Sequence, residues 1–132
     1  MCIRDRPHVI AELSKIKDSY NCDAISIAAA TAAMHSQEWL ADVVAKMNMT
    51  RERLAKELSV MGFAVTPSHA NFVWCQHPSG RHAEIYETLK QNQILIRYMD
   101  FHQWGDGLRI SVGTDEQIDA CLLIIRRALD AK

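Results

Sequence analysis

The sequence predicts an α+β fold in which helices pack on one face of a small, mostly antiparallel sheet. Three observations lead to this prediction. Apolar residues recur at helical spacing through residues 7 to 61, and four short strand-like runs follow them. One further helical segment divides these runs into two pairs, and another closes the chain. At 132 residues the chain has the size of a single domain.

Two helices are expected near the N-terminus. Pro7 suits the first position of a helix, where its missing N–H is not needed, and helical spacing continues to residue 18. After a break at residues 19–21, the alanine-rich run from Ala24 to Met34 predicts a second helix, whose small side chains would let another helix approach closely.

The longest helix is predicted over residues 37 to 61. Ser36 is a good N-cap residue, and Gly62 suits the left-handed position that follows a helix. Apolar side chains form one stripe along it, and Asp42 and Lys46 form an i,i+4 pair on the remaining surface. This combination makes it the most clearly marked helix in the sequence.

The C-terminal half is expected to contain the sheet. The predicted strands are residues 63–66, 71–76, 94–99 and 108–112. A helix is expected at about 82–92, with Ala83, Ile85, Tyr86 and Leu89 facing inward, and residues 100–107 are expected to form a loop because they contain two glycines. Thr114 and Gln117 form a capping box that opens the last helix.

The composition excludes several classes of protein. Lys and Arg number 15 against 16 Asp and Glu, without the clustered basic excess that a nucleic-acid surface needs. The sequence has no signal peptide and no apolar run of membrane-spanning length, so a cytoplasmic protein is expected. The four cysteines are widely spaced and predict reduced thiols rather than disulfides. Cys75, His77 and His82 match no standard zinc spacing, and no metal site is predicted.

Arg109 is the first candidate for an anion-binding residue. It lies in the run L-R-I-S-V-G-T, where Leu108 and Ile110 share one face of a strand and Arg109 points to the other. A strand fixes the backbone position of the arginine, and the guanidinium at the end of its side chain can hold a carboxylate bidentately. The alternation alone favours a solvent-facing arginine, whereas the position just after a glycine-bracketed loop and just before a capped helix favours a functional one.

Arg97 is the second candidate. In the run I-L-I-R-Y-M it shares a face with Leu95 and Met99, and an arginine on a partly apolar face needs an anion because an unpaired charge is costly. That anion could be a neighbouring carboxylate such as Asp100, or it could be a substrate phosphate or carboxylate.

Two polar residues complete the set of candidates. Tyr20 lies in the break between the first two helices, and Asn71 opens its strand; by spacing alone both are ordinary loop or turn residues. The sequence contains no glycine-rich phosphate loop, dinucleotide fingerprint or recognisable hydrolase triad signature.

Three segments of the chain, in matching order from Pro7 to the C-terminus, resemble the histidinol-phosphate aminotransferases, which have fold type I. The segments are P-H-V-I-A-E-L-S-K-I-K-D-S-Y-N, then A-N-F-V-W-C, then I-L-I-R-Y-M with W-G-D-G-L-R-I-S-V-G-T. The resemblance implies that Arg109 clamps the substrate carboxylate and that Arg97 binds at the substrate's phosphate end. It also implies that Tyr20 lines the substrate site and that Asn71 is the asparagine of the A-N-F motif.

The resemblance implies pyridoxal 5′-phosphate as the cofactor of the full-length enzyme, held mainly by a large domain absent from this sequence. In this family a lysine upstream of the helix that begins at Pro7 forms the Schiff base. Lys15 and Lys17 are not its counterparts, so the sequence contains no catalytic residue. This chain alone is therefore expected to be inactive.

The same resemblance divides the chain into three segments. Residues 1–6, M-C-I-R-D-R, fit nothing downstream and are expected to be a non-native leader. Residues 7–35 are expected to be an interdomain helical connector, and residues 36–132 the aminotransferase small domain.

The implied partners are small molecules: an amino-alcohol phosphate or amino acid, with 2-oxoglutarate and glutamate. The missing large domain and a second copy of the full enzyme, as a homodimer, are further implied partners, without nucleic acid or membrane.

The leading interpretation is the substrate-clamping part of a histidinol-phosphate:2-oxoglutarate aminotransferase in histidine biosynthesis. Another fold type I aminotransferase, or an enzyme similar to threonine-phosphate decarboxylase, is an alternative because paired anion anchors suit those reactions too. A free-standing, non-catalytic α+β binding module is the alternative from another class. The aminotransferase interpretation predicts an exposed apolar patch around residues 25–34.

Overall fold

The computed structural model describes residues 6–19, 21–103 and 105–131. Within these residues the order of helices and strands matches the prediction. The elements are α1 (Pro7–Ile16), α2 (Ala24–His35), α3 (Gln37–Val60), β1 (Ala64–Thr66), β2 (Phe72–Gln76), α4 (His82–Gln91), β3 (Arg97–Phe101), β4 (Gly105–Ser111) and α5 (Asp115–Asp130).

The chain divides into two compact units, Met1–Leu40 and Ala41–Lys132, and the boundary falls inside α3. In the first unit α2 begins at an N-cap aspartate, Asp23, whose carboxylate accepts a hydrogen bond from the backbone N–H of Ser26. No described residue of α1 or α2 is buried, so these two helices have no core of their own.

The second unit contains an antiparallel sheet with the strand order β1-β2-β4-β3. Its core combines apolar residues from α3, α4 and α5 with alternate residues of the two central strands. These strand residues are Val73, Cys75, Leu108 and Ile110. Helices α4 and α5 and the part of α3 in this unit therefore pack on one face of the sheet, and the predicted α+β fold is confirmed.

Local signals end α3 and begin α5 as the sequence predicts. Ser36, however, was predicted as the N-cap of α3 but is the C-cap of α2, and its hydroxyl donates to the carbonyl of Ala32. Gly62 follows α3 with a φ of 91°, and the N–H of Phe63 bonds to the carbonyl of Leu58 across it. At α5 the hydroxyl of Thr114 and the side chain of Gln117 each accept from the other's backbone N–H, which completes the capping box.

The β3–β4 hairpin differs from the prediction. Residues 100–107 were expected to be a loop, but Phe101 pairs with Gly105 and Asp100 with Asp106, so the strands extend almost to the turn. Gly105 allows this tight connection because it adopts a φ of 79°. At its other end β3 begins at Arg97 rather than Ile94, because the N–H of Ile94 bonds to Leu89 at the end of α4.

The buried face of α4 also differs from the prediction. Ile85 and Leu89 are fully buried as expected, but Ala83 is exposed and His82 is buried in its place. The imidazole of His82 accepts a hydrogen bond at Nε2 from the backbone N–H of His77, which satisfies part of its polarity inside the domain.

Candidate functional site

The face of the sheet opposite the helices carries the two arginines. Arg97 and Arg109 are direct cross-strand partners on β3 and β4, and Trp74 of β2 is the partner of Arg109 on its other side. Directly paired residues of antiparallel strands point to the same face, with Cβ atoms about 4.5–5.5 Å apart. The side chains of the two arginines therefore extend from paired positions on neighbouring strands and point to the same face of the sheet.

Arg109 has an unusual environment for a charged group. Its neighbours Leu108 and Ile110 are buried on the helix side, which holds its backbone rigidly. Its Nε is buried and has no hydrogen-bond partner within the described part of the chain. The guanidinium carbon lies 4.9 Å from the centre of the Phe72 ring. An aromatic face is thus its observed partner, and no carboxylate of the described residues forms an ion pair with it.

Arg97 is exposed, and the described residues offer it no ion pair either. The neighbouring carboxylate Asp100 is three positions along β3 and pairs with Asp106 on β4, so it belongs to the opposite face of the sheet. The structure therefore does not support Asp100 as the partner of Arg97. Like charges directly opposite each other on neighbouring strands destabilise a sheet by repulsion. An anion bound between Arg97 and Arg109 would offset this repulsion.

An aromatic pair borders the arginines. A Cβ added at Gly107 would lie 2.5 Å from Cζ2 of Trp74, which shows that the indole covers this glycine. Because Gly107 has no side chain, the indole extends across β4 to Phe101 of β3, with ring centres 5.7 Å apart. Trp74 therefore leans towards the hairpin, whereas Arg109 leans the other way, towards Phe72.

Asn71 lies at the same end of the sheet as the arginines. It precedes β2, and its backbone carbonyl accepts a hydrogen bond of 2.9 Å from the N–H of Val112, just after β4. The structure thus brings Arg97, Arg109 and Asn71 to one end of three neighbouring strands. The fourth predicted site residue, Tyr20, lies outside the described residues.

Phe72 was not predicted from the sequence as a site residue. It is a diagonal neighbour of Arg109, since it pairs with Ser111, two positions further along β4. Diagonal neighbours are within reach of long side chains. Strand alternation could have placed Phe72 on the exposed face, but its distance from Arg109 depends on the register of β2 and β4.

A polar cluster lies on the helix side of the same hairpin. His82 Nδ1 is 3.0 Å from Asp106 Oδ2. Burial acts to raise the pKa of Asp106, but hydrogen bonding from His82 and Tyr98 and the charge of His82 together lower it. We interpret this cluster as a structural anchor between α4 and β4.

Lysines are absent from the part of the sheet that carries the arginines. None of the four strands contains one, and Lys15 and Lys46 form ion pairs with acidic residues of their own helices.

Among the described residues, no group of three His, Cys, Asp or Glu side chains could hold a metal ion. No described helix is long and apolar enough to cross a membrane.

The chain is similar to known proteins over nearly all its length. Residues 1–125 match the family model of aminotransferase class I and II. The chain is 76% identical over 126 residues to a histidinol-phosphate aminotransferase of Rhodopirellula baltica, covering 96% of this chain and 35% of the relative. It is 44% identical to histidinol-phosphate aminotransferase 1 of a Nostoc species, covering 96% of this chain and 36% of the relative.

Solved structures show the same fold. The histidinol-phosphate aminotransferase from Clostridium acetobutylicum matches with a TM-score of 0.84 at 20% identity, over 95% of this chain and 39% of the other. The Sinorhizobium meliloti enzyme, solved in complex with pyridoxal-5′-phosphate, matches with a TM-score of 0.76 at 27% identity, over 92% and 35%. The chain thus spans about a third of the length of the curated relatives it matches.

Proposed function

Because the chain belongs to the aminotransferase class I and II family, we propose that it is the substrate-clamping, C-terminal part of a pyridoxal-phosphate-dependent aminotransferase. The proposed activity of the whole protein is that of histidinol-phosphate:2-oxoglutarate aminotransferase, in histidine biosynthesis. The observation that carries the proposal is the direct pairing of Arg97 with Arg109 on one face of the sheet, without a carboxylate partner for either among the described residues.

The paired arginines suit an anionic end of a small substrate. Each guanidinium has several N–H donors in a fixed fork, which matches the oxygens of a phosphate or a carboxylate. Holding that end in a rigid sheet restricts where the rest of the substrate can lie, and such orientation is a large part of catalysis. Asn71, at the same end of the sheet, and Tyr20 are proposed as further substrate-binding residues.

The residues of this chain do not by themselves form a complete site for pyridoxal phosphate. A covalently held pyridoxal phosphate needs a lysine amine, and no strand of the sheet supplies one beside the arginines. We therefore propose that the lysine and most of the cofactor site belong to a large domain outside this chain, and that this chain alone is inactive.

The proposed architecture accounts for the first unit. Residues 7–35 would be a helical connector and residues 36–132 the small domain, with residues 1–6 a non-native leader. Ile25 is 82% exposed and Met34 70% exposed, which agrees with the apolar patch that the aminotransferase interpretation predicts. An apolar surface of this kind is expected to be covered by other parts of the protein. The full enzyme is proposed to be a cytoplasmic homodimer.

Measuring the formation of glutamate from histidinol phosphate and 2-oxoglutarate tests this function in the full-length polypeptide that contains these residues. Removing one charged hydrogen-bonding anchor in Arg109→Leu or Arg97→Leu should lower kcat/KM by about 100-fold. Arg127→Leu, on the exposed surface of α5, is the matched control and should retain activity within about twofold.

The assay also separates this activity from its alternatives. Transamination of aromatic amino acids in preference to histidinol phosphate, or loss of carbon dioxide from threonine phosphate, would assign the chain to a sister enzyme. Full activity in both arginine variants would contradict the proposed site. Glutamate formation by the 132-residue chain alone, above a control without protein, would contradict the need for a missing domain.

A further inference from the structure

We propose that Phe72 is a positioning residue for anion binding, acting through Arg109. This inference rests on the proposed function, because it assumes that Arg109 holds the anionic end of a ligand. Phe72 carries no charge, so its effect on the anion would be indirect.

The first support is the contact between the two side chains. The guanidinium carbon of Arg109 lies over the Phe72 ring, 4.9 Å from its centre. A cation over an aromatic face is attracted by the negative charge density of the ring. Because this attraction uses the face of the guanidinium, it leaves the in-plane N–H groups free to donate to a ligand.

The second support is the state of Arg109 itself. Its Nε is buried and lacks a hydrogen-bond partner among the described residues, and buried polar groups in proteins are nearly always hydrogen-bonded. A buried N–H donor without a partner is expected where the hydrogen bond forms only after a ligand binds. The arginine therefore needs some other interaction to keep its orientation while it is unliganded.

The third support is the space around the arginine. Its direct cross-strand partner on β2 is Trp74, but the indole lies over Gly107 and reaches Phe101. Trp74 therefore leaves Phe72 as the aromatic ring against the guanidinium. The backbone of Phe72 is held in place, since its carbonyl accepts a 2.7 Å hydrogen bond from the hydroxyl of Ser68.

Isothermal titration of the full-length holoenzyme with inorganic phosphate tests this inference, because bound cofactor occupies its own phosphate site. Phe72→Leu keeps an apolar side chain but removes the aromatic face, and it should weaken phosphate binding by about fivefold to tenfold. Phe72→Tyr and Phe72→Trp keep an aromatic face and should bind within about twofold of the unsubstituted enzyme.

Tyr86→Leu is the matched control, because it removes a second aromatic–cation contact, that between Tyr86 and Lys90 on α4. This variant should bind phosphate as the unsubstituted enzyme does. Thermal unfolding of each variant identifies any general loss of structure, and rescue by Phe72→Tyr distinguishes an aromatic contact from packing alone.

The outcomes separate the two proposals. Normal binding in Phe72→Leu, or equal weakening in Phe72→Tyr, overturns the role of Phe72 while the proposed function stands, provided that Arg109→Leu abolishes binding. Normal binding in Arg109→Leu, or no binding by the unsubstituted holoenzyme, overturns the proposed anion site and the role of Phe72 with it.

Discussion

Trp74 packs directly over Gly107 on the exposed face of the sheet: the indole lies where a side chain on residue 107 would have to be. A Cβ at that position would be 2.5 Å from Cζ2 of Trp74 and 2.9 Å from the carbonyl oxygen of Cys75. The second of these atoms belongs to the backbone and cannot move aside.

Gly107→Ala should therefore destabilise the domain by about 1–3 kcal/mol, because the added methyl group forces the strand or the indole to shift. Urea unfolding measures the change. Ser111→Ala, an exposed position on the same strand, is the control and should change stability by less than about 0.5 kcal/mol. If the two variants are equally stable, the contact is not as tight as the structure shows.

The capping box should contribute measurably to α5. Thr114→Ala removes the hydroxyl that accepts from the N–H of Gln117, and loss of such a cap costs about 0.5–2 kcal/mol. Thr114→Ser keeps the hydroxyl and should retain most of the stability. Thermal unfolding compares them; similar melting temperatures for the alanine and serine variants would argue against the cap.

Stability should fall in acid partly through Asp115. Hydrogen bonds from Arg53 and then Thr50 lower its pKa in the folded chain, so folding is favoured while the carboxylate is ionised. This contribution is present above the unfolded pKa, about 4, and is lost as the pH falls through the lower folded pKa.

Urea unfolding at neutral pH and at about pH 3 measures this dependence. Because Arg53 is a main cause of the lowered pKa, Arg53→Gln should lose less stability between the two conditions than the unsubstituted chain. Arg127→Gln controls for a change in net charge. An unchanged pH dependence in Arg53→Gln would show that the ion pair does not survive in solution.

The cysteines should differ sharply in reactivity. Burial raises the pKa of Cys75 to about 12 and that of Cys121 to about 11, whereas Cys22 is exposed. Because only the thiolate reacts, iodoacetamide at pH 8 should label Cys22 more than about 100-fold faster than Cys75 or Cys121. Peptide mass spectrometry measures the rates, and the difference should disappear when the chain is unfolded. Rapid labelling of Cys75 in the folded chain would mean that the core opens readily.

The raised pKa values have a further consequence at high pH. Unfolded thiols ionise near pH 8.5, whereas these two stay protonated in the folded chain to higher pH, so the folded state binds more protons above that point. Stability should therefore decrease as the pH rises above about 8.5. Cys121→Ala should reduce the slope of this decrease, as measured by urea unfolding at several pH values.

The sequence by itself determined the helices and their ends. Gly62 and Thr114 act on the backbone of their immediate neighbours, so their roles do not depend on the rest of the fold. Strand alternation likewise placed Arg109 on the face opposite Leu108 and Ile110, and the A-N-F and L-R-I-S-V-G-T segments indicated the family that the comparisons show.

Only the tertiary structure decided which residues meet. The pairing of Arg97 with Arg109 and the diagonal position of Phe72 follow from strand register, which arises from contacts between residues distant in sequence. The same cause explains the extended hairpin and the inward His82, since each depends on a partner supplied by another element. Local patterns identify the arginines as candidates, but only the folded sheet brings them to a common face.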